Sequence, residues 1–149
     1  MKPDSRTISE PTFPPPEAAE AAFYAAFETR SLDAMMSVWA SDGSIACIHP
    51  MAAPLNGRTA VAAGWRSMFE AAGQFRVHAE LAHEMREAGE VIRIVREYLV
   101  IGQETEPRPP ILATNVYRKG ADGSGPMVLH HASPLQVDST PPSRTPPMV

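Results

Sequence analysis

From Phe75 onward the chain stops repeating in helical periods and begins to repeat in strand periods, and this switch constrains the fold more than any other feature. The segments Phe75–Glu84, Glu90–Ile101, Ile111–Lys119 and Met127–Val137 are short and rich in β-branched residues. Ala88-Gly89, GQETEPRPP and GADGSGP separate them, so they read as an antiparallel meander. Such a sheet must bury one face, and the upstream half of the chain supplies the cover. Glu17–Arg30 sets Phe23 and Phe27 four apart among alanines, with acidic residues early and Arg30 late, which predicts a first helix. Ser31 is placed to cap a second, in which Leu32, Met35, Met36 and Trp39 share a face. Asp42-Gly43 then turns the chain into a strand over Ser44–His49. After Asn56-Gly57, Thr59 as a cap and Val61, Trp65, Met68, Phe69 and Ala72 on one face define a third helix that stops at Gly73.

The order α-α-β-α-β-β-β-β implies an α+β fold: a conical barrel with three N-terminal helices packed on a strongly curved, mostly antiparallel sheet. A bent sheet roofed by helices leaves a cone between its layers, and such spaces are the usual small-molecule sites. With 149 residues, 44% hydrophobic and 20% charged, the chain has the size and balance of one folded domain. Proline-rich stretches, PTFPPPE and STPPSRTPPMV, mark flexible tails at 1–16 and 138–149 around a domain at 17–137. A net charge of -4 with scattered arginines argues against a nucleic-acid partner. The lone Cys47 excludes an intrachain disulfide, and no apolar run approaches a membrane span or a signal peptide, so no membrane association and a cytoplasmic location are expected.

Within this frame the chemistry-bearing residues are few. His49 ends an apolar strand and precedes Pro50, so its imidazole, a general base near neutral pH, is expected to look into the cone; a structural histidine bonded to a backbone carbonyl is the alternative. Glu97 shares a strand face with Arg93, Val95 and Leu99; it is either a desolvated inward carboxylate that orients His49 or acts as an acid, or a solvated outer residue beside Arg96. Asn115 and Tyr117 also share a face, and an amide and a phenol inside an apolar cone suit hydrogen bonding to a carbonyl or enolate. Of the adjacent His130 and His131 only one can face the cavity. Pairing of Lys119 with Met127 would set His131 opposite Asn115, and a longer turn would select His130. Trp39, Trp65 and Phe69 stand at helical spacing and either line the cavity or form plain core. The sequence has no HExxH, CxxC, GxSxG or phosphate-cradling loop, so neither a metal nor a cofactor is expected.

The stretches SLDAMMSVWASDGSIACIHP, LNGRTAVAAGWRSMF, ILATNVYRK and LHHASP together resemble the SnoaL-like domains of the nuclear transport factor 2-like superfamily, which are related to ketosteroid isomerases. The resemblance implies one pocket per chain and a homodimer joined through the outer face of the sheet, but it does not imply one reaction. Where ketosteroid isomerases carry a catalytic aspartate before a proline, this chain has His49-Pro50. Their oxyanion-hole aspartic acid corresponds to Asn115. Their tyrosine corresponds to Phe23, with Tyr24 one residue along on another face. These departures argue against steroid isomerase activity. What remains is a small apolar or aromatic, carbonyl-bearing ligand handled by acid–base chemistry of the isomerase, cyclase or lyase kind, with His49, Asn115 and Glu97 as catalytic candidates. The alternative is a non-catalytic ligand-binding or dimerisation module. If Glu97 and Asn115 point inward, alternation leaves Ile92, Ile94, Tyr98, Thr114 and Val116 on the convex face, an apolar patch suited to a two-fold contact.

Overall fold

The computed structural model describes residues 13–71 and 73–135. Most of the expected tail at 1–16, all of that at 138–149, Ala72 of the third helix and the last two residues of the strand drawn to Val137 lie outside the described residues. Helix α1 (Pro16–Thr29) opens on a proline, where no hydrogen-bond donor is lost. It ends at Arg30, which stands in the left-handed region at φ 56 and is the C-cap, one step beyond the last turn where a base was expected. In α2 (Leu32–Ser37) the Ser31 hydroxyl accepts from the Ala34 N–H at 3.1 Å, as the capping pattern requires. The helix is only 6 residues long, so Trp39, expected on its face, lies beyond it and bridges to Met127.

Strand β1 (Ala46–Ile48) is shorter than the Ser44–His49 span, and a further short strand, β2 (Leu55–Asn56), pairs with it. Helix α3 (Arg58–Ala71) begins immediately after Gly57, whose φ of 87 only glycine tolerates well and whose carbonyl accepts from Val61 N–H at 2.9 Å. Thr59 is therefore already inside the helix and is not its cap. The Arg58 guanidinium reaches back to the carbonyls of Met36, Trp39 and Ala40, which satisfies acceptors that the short α2 and the chain after it leave open.

The remaining strands are β3 (Phe75–Arg86), β4 (Glu90–Ile101), β5 (Ile111–Arg118) and β6 (Met127–Pro134). The sheet has 6 strands in the order β2-β1-β6-β5-β4-β3. All neighbours are antiparallel except β1 and β6, which run parallel, so the sheet is mixed and a simple meander only over β3 to β6. The β5–β6 register decides between the two histidines. Tyr117, not Lys119, pairs with Met127, and an irregularity between Val116 and Tyr117 brings Asn115 opposite His130. His131 falls on the outer face and is exposed. One inward row crosses the sheet as Cys47, His130, Asn115, Arg93 and Glu84. Above it sits an aromatic cluster in which the buried Phe23 ring contacts Tyr24, Trp39, Trp65 and His130, with centroids 4.8 to 6.5 Å away.

Candidate functional site

A cavity of about 300 Å³ lies between the last turns of α1 and α3 and the ends of β3, β4 and β5. Its wall is mainly apolar, with Phe27, Met68, Phe75, Leu99 and Ile111 prominent, and three ionisable side chains reach it: His49, Glu97 and His130. His49 follows β1, where the chain turns through Pro50, and the Ala52 N–H closes that turn on the His49 carbonyl at 3.0 Å. Its ring stands edge-on to Trp65 with centroids 4.6 Å apart. Behind it α3 carries Gly64, where a Cβ would meet Leu55 at 2.4 Å and His49 Nε2 at 3.5 Å. A glycine in mid-helix costs propensity, and close approach is its reason here. Burial lowers the His49 pKa, so the ring is neutral near pH 7.

Glu97 and His130 are held by a buried hydrogen-bond network. Tyr24 donates to Glu97 Oε2 at 2.6 Å, and Asn115 Nδ2 donates both to the Tyr24 oxygen and to Glu20 Oε1, at 3.1 Å each. Tyr117 donates to the same Glu20 oxygen at 2.7 Å, while Arg93 Nε holds the other at 2.9 Å. Arg93 continues to Glu84, and Arg86 links Glu84 to Glu17 at the surface. Because Asn115 aims its nitrogen at a carboxylate, its oxygen is left for His130 Nδ1, 2.6 Å away, which must therefore carry the proton. His130 Nε2 stands 3.9 Å from Glu97 Oε2, beyond hydrogen-bond length.

Desolvation pushes the Glu97 carboxyl up to about 7, with the Glu20 charge adding to it and the Tyr24 hydrogen bond opposing. Burial, with help from His49 and His131, pushes His130 down to about 3. Burial likewise holds Tyr24 and Tyr117 phenolic, and raises the Cys47 thiol to about 12. Cys47 Sγ lies 3.7 Å from His49 Nε2, so this protonated thiol is a neighbour of the imidazole and not a nucleophile at neutral pH.

The structure thus brings His49, Glu97 and His130 to one cavity. Asn115 is fully buried with both ends of its amide engaged, so it positions other groups and does not reach a ligand. Tyr117 is taken up by Glu20. Trp39, Trp65 and Phe69 are core, filling the space around Phe23 and Phe27 instead of walling the cavity. His131 is on the outer face of the sheet. Tyr24, expected on another face of α1 from Phe23, is buried beside it, because the inward face of this helix is wide and takes in positions 16, 19, 20, 23, 24 and 27. Sequence reading missed Glu20 and Tyr24. Their i, i+4, i+7 spacing with Phe27 was the available signal, overlooked because one is charged and the other polar. Among the described residues, no group of three His, Cys, Asp or Glu side chains is arranged to hold a metal ion. No helix there is long and apolar enough to cross a membrane.

Known proteins give the same outline. A crystal structure from Thiobacillus denitrificans, provisionally named a calcium/calmodulin-dependent protein kinase type II association domain, is 72% identical over 85% of this chain and 100% of its own, with a TM-score of 0.80. A provisional dehydratase of the NTF2-like family from Streptomyces avermitilis shares 23% identity over 81% of this chain and 94% of its own, at a TM-score of 0.70. A ketosteroid isomerase-like protein from Erwinia carotovora atroseptica shares 18% over 81% and 94%, at 0.63. At these lower identities the likeness concerns the fold alone. No curated protein matches the sequence. The SnoaL-like domain family matches residues 17–137, the whole of the helix-roofed sheet and its cavity, and the chain belongs to that family.

Proposed function

We propose that the cavity binds a small, uncharged, largely apolar molecule through one oxygen function and moves a proton on it, with Glu97 as acid and His49 as base. The observation that carries this is a carboxyl raised to about 7 in an apolar wall that also presents two neutral imidazoles. A group with such a pKa can both give and take a proton at neutral pH, and the dry surroundings strengthen every polar contact made there. Proton abstraction by His49, paired with delivery from Glu97 to the substrate oxygen, is the elementary step shared by isomerisation, cyclisation and dehydration. Exchange of solvent deuterium into small cyclic ketones, which passes through an enol whose hydroxyl the site can hold, tests it when followed by NMR. Folded His49→Ala and Glu97→Gln proteins should each lose at least about 100-fold in exchange rate. Unchanged exchange in both would remove the acid–base assignment.

A second reading is an assembly module, and the name of the 72% identical relative favours it. The outer face of the sheet supports the same reading, since Ile92, Ile94, Leu112, Val116 and Leu129 are all only partly covered. The two readings concern opposite faces of the sheet and are compatible.

A further inference from the structure

Resting on the acid–base reading, the polar groups of the cavity can be sorted by what each is able to donate or accept. Asn115 Oδ1 takes the Nδ1 proton of His130, so Nε2 offers a lone pair to the cavity and no hydrogen. Burial, together with two neighbouring histidines, disfavours a second proton on this ring. Glu97 Oε2 already accepts from Tyr24, and no hydrogen bond to Oε1 is made among the described residues. No arginine or lysine lines the space. The site therefore holds one obligate acceptor, Nε2, beside one carboxyl whose Tyr24-bonded oxygen stands 3.9 Å from it. At that separation one ligand oxygen can reach both groups.

We infer that the cavity selects a neutral hydroxyl-bearing molecule, its single oxygen donating to His130 Nε2 and accepting from Glu97. A carbonyl oxygen cannot make this pair of contacts, since it has no hydrogen and would set its lone pairs against that of Nε2. A carboxylate would face the same lone pair and a potential carboxylate with no cation to offset its charge. An alcohol, phenol or enol satisfies both groups at once. The volume, at the lower end for ligand pockets, limits the skeleton to one or two rings.

Three probes on one skeleton test this with the wild-type chain: 2-indanol, 2-indanone and indane-2-carboxylate, titrated into protein labelled with ¹⁵N at histidine. In the free protein His130 should be protonated at Nδ1 and bare at Nε2. 2-Indanol should bind about tenfold or more tightly than 2-indanone, and its binding alone should move the Nε2 resonance in the direction of a newly accepted hydrogen bond. The carboxylate should not bind. A ketone that binds as tightly as the alcohol, a preference for the carboxylate, or a proton found on Nε2 of the free protein would overturn the hydroxyl assignment and leave the cavity reading standing. Failure of all three probes would overturn both.

Discussion

Glu97 shows how a single side chain can be both costly and useful. In the unfolded chain its carboxyl ionises near 4.5, while the folded protein keeps the proton to about 7. Over that window the folded state binds more protons, so its stability falls as pH rises. His130 acts in the opposite sense. The unfolded ring takes a proton near 6.5 and the folded one resists to about 3, so stability is lost as pH falls below 6.5. Between about 4.5 and 6.5 the two slopes oppose one another. In Glu97→Gln only the histidine slope survives, so the variant should gain on the wild type by roughly 1.4 kcal/mol per pH unit across this range. Urea unfolding at several pH values reads the difference, and parallel curves would mean that Glu97 titrates normally. None of this was legible from alternation along β4, which put Glu97 on one of two faces and could not choose. The choice came from Tyr24 and Glu20 on another element, and contacts between residues so far apart in the chain leave no periodic trace.

At the scale of elements, the patterns with strong periodicity were legible and the connections were not. The apolar stripes of α1 and α3 and the β-branched runs of β3 to β6 all became the elements they suggested, because burial of a repeating face is a local signal. The start of α3 was misplaced at Thr59, since Gly57 performs the capping by backbone alone. The two-residue β2 was invisible because it is too short to show a repeat. In the turn His49-Pro50-Met51-Ala52 the sequence singles out the histidine and the proline, not Met51. Pro50 sits where its fixed φ fits, but Met51 follows at φ 63, a value that suits glycine, with its side chain 91% exposed. Met51 thus forgoes both packing and backbone comfort. Met51→Gly should raise the urea midpoint, by roughly 0.5 kcal/mol in stability, with the slope unchanged. A lower midpoint would show that the methionine makes contacts that the isolated chain does not reveal.

For the whole molecule, the outer face of the sheet is the surface that an assembly would cover. The β5–β6 register that turns His130 inward sends Leu129 and His131 outward, into rows shared with Val116, Ile92, Thr114 and Ile94. A homodimer formed through this face is our expectation. Sedimentation at micromolar concentration should give about twice the chain mass, and Val116→Asp should halve it by placing a carboxylate in an apolar contact. A monomeric wild type would leave the cavity assignments intact and withdraw the assembly reading. The parallel pairing of β1 with β6 has a consequence of another kind. Cys47 arrives early during synthesis and His130 late, on strands that become neighbours only when nearly all of the intervening chain has emerged. A ribosome-bound chain ending before Met127 would have its helices and most of its strands, but β1 would be paired with β2 alone, leaving Cys47 and the aromatic cluster without the cover of β6. Such non-local closure is slow and prone to aggregation. Expression yield in cells should therefore depend on how quickly that last strand is delivered.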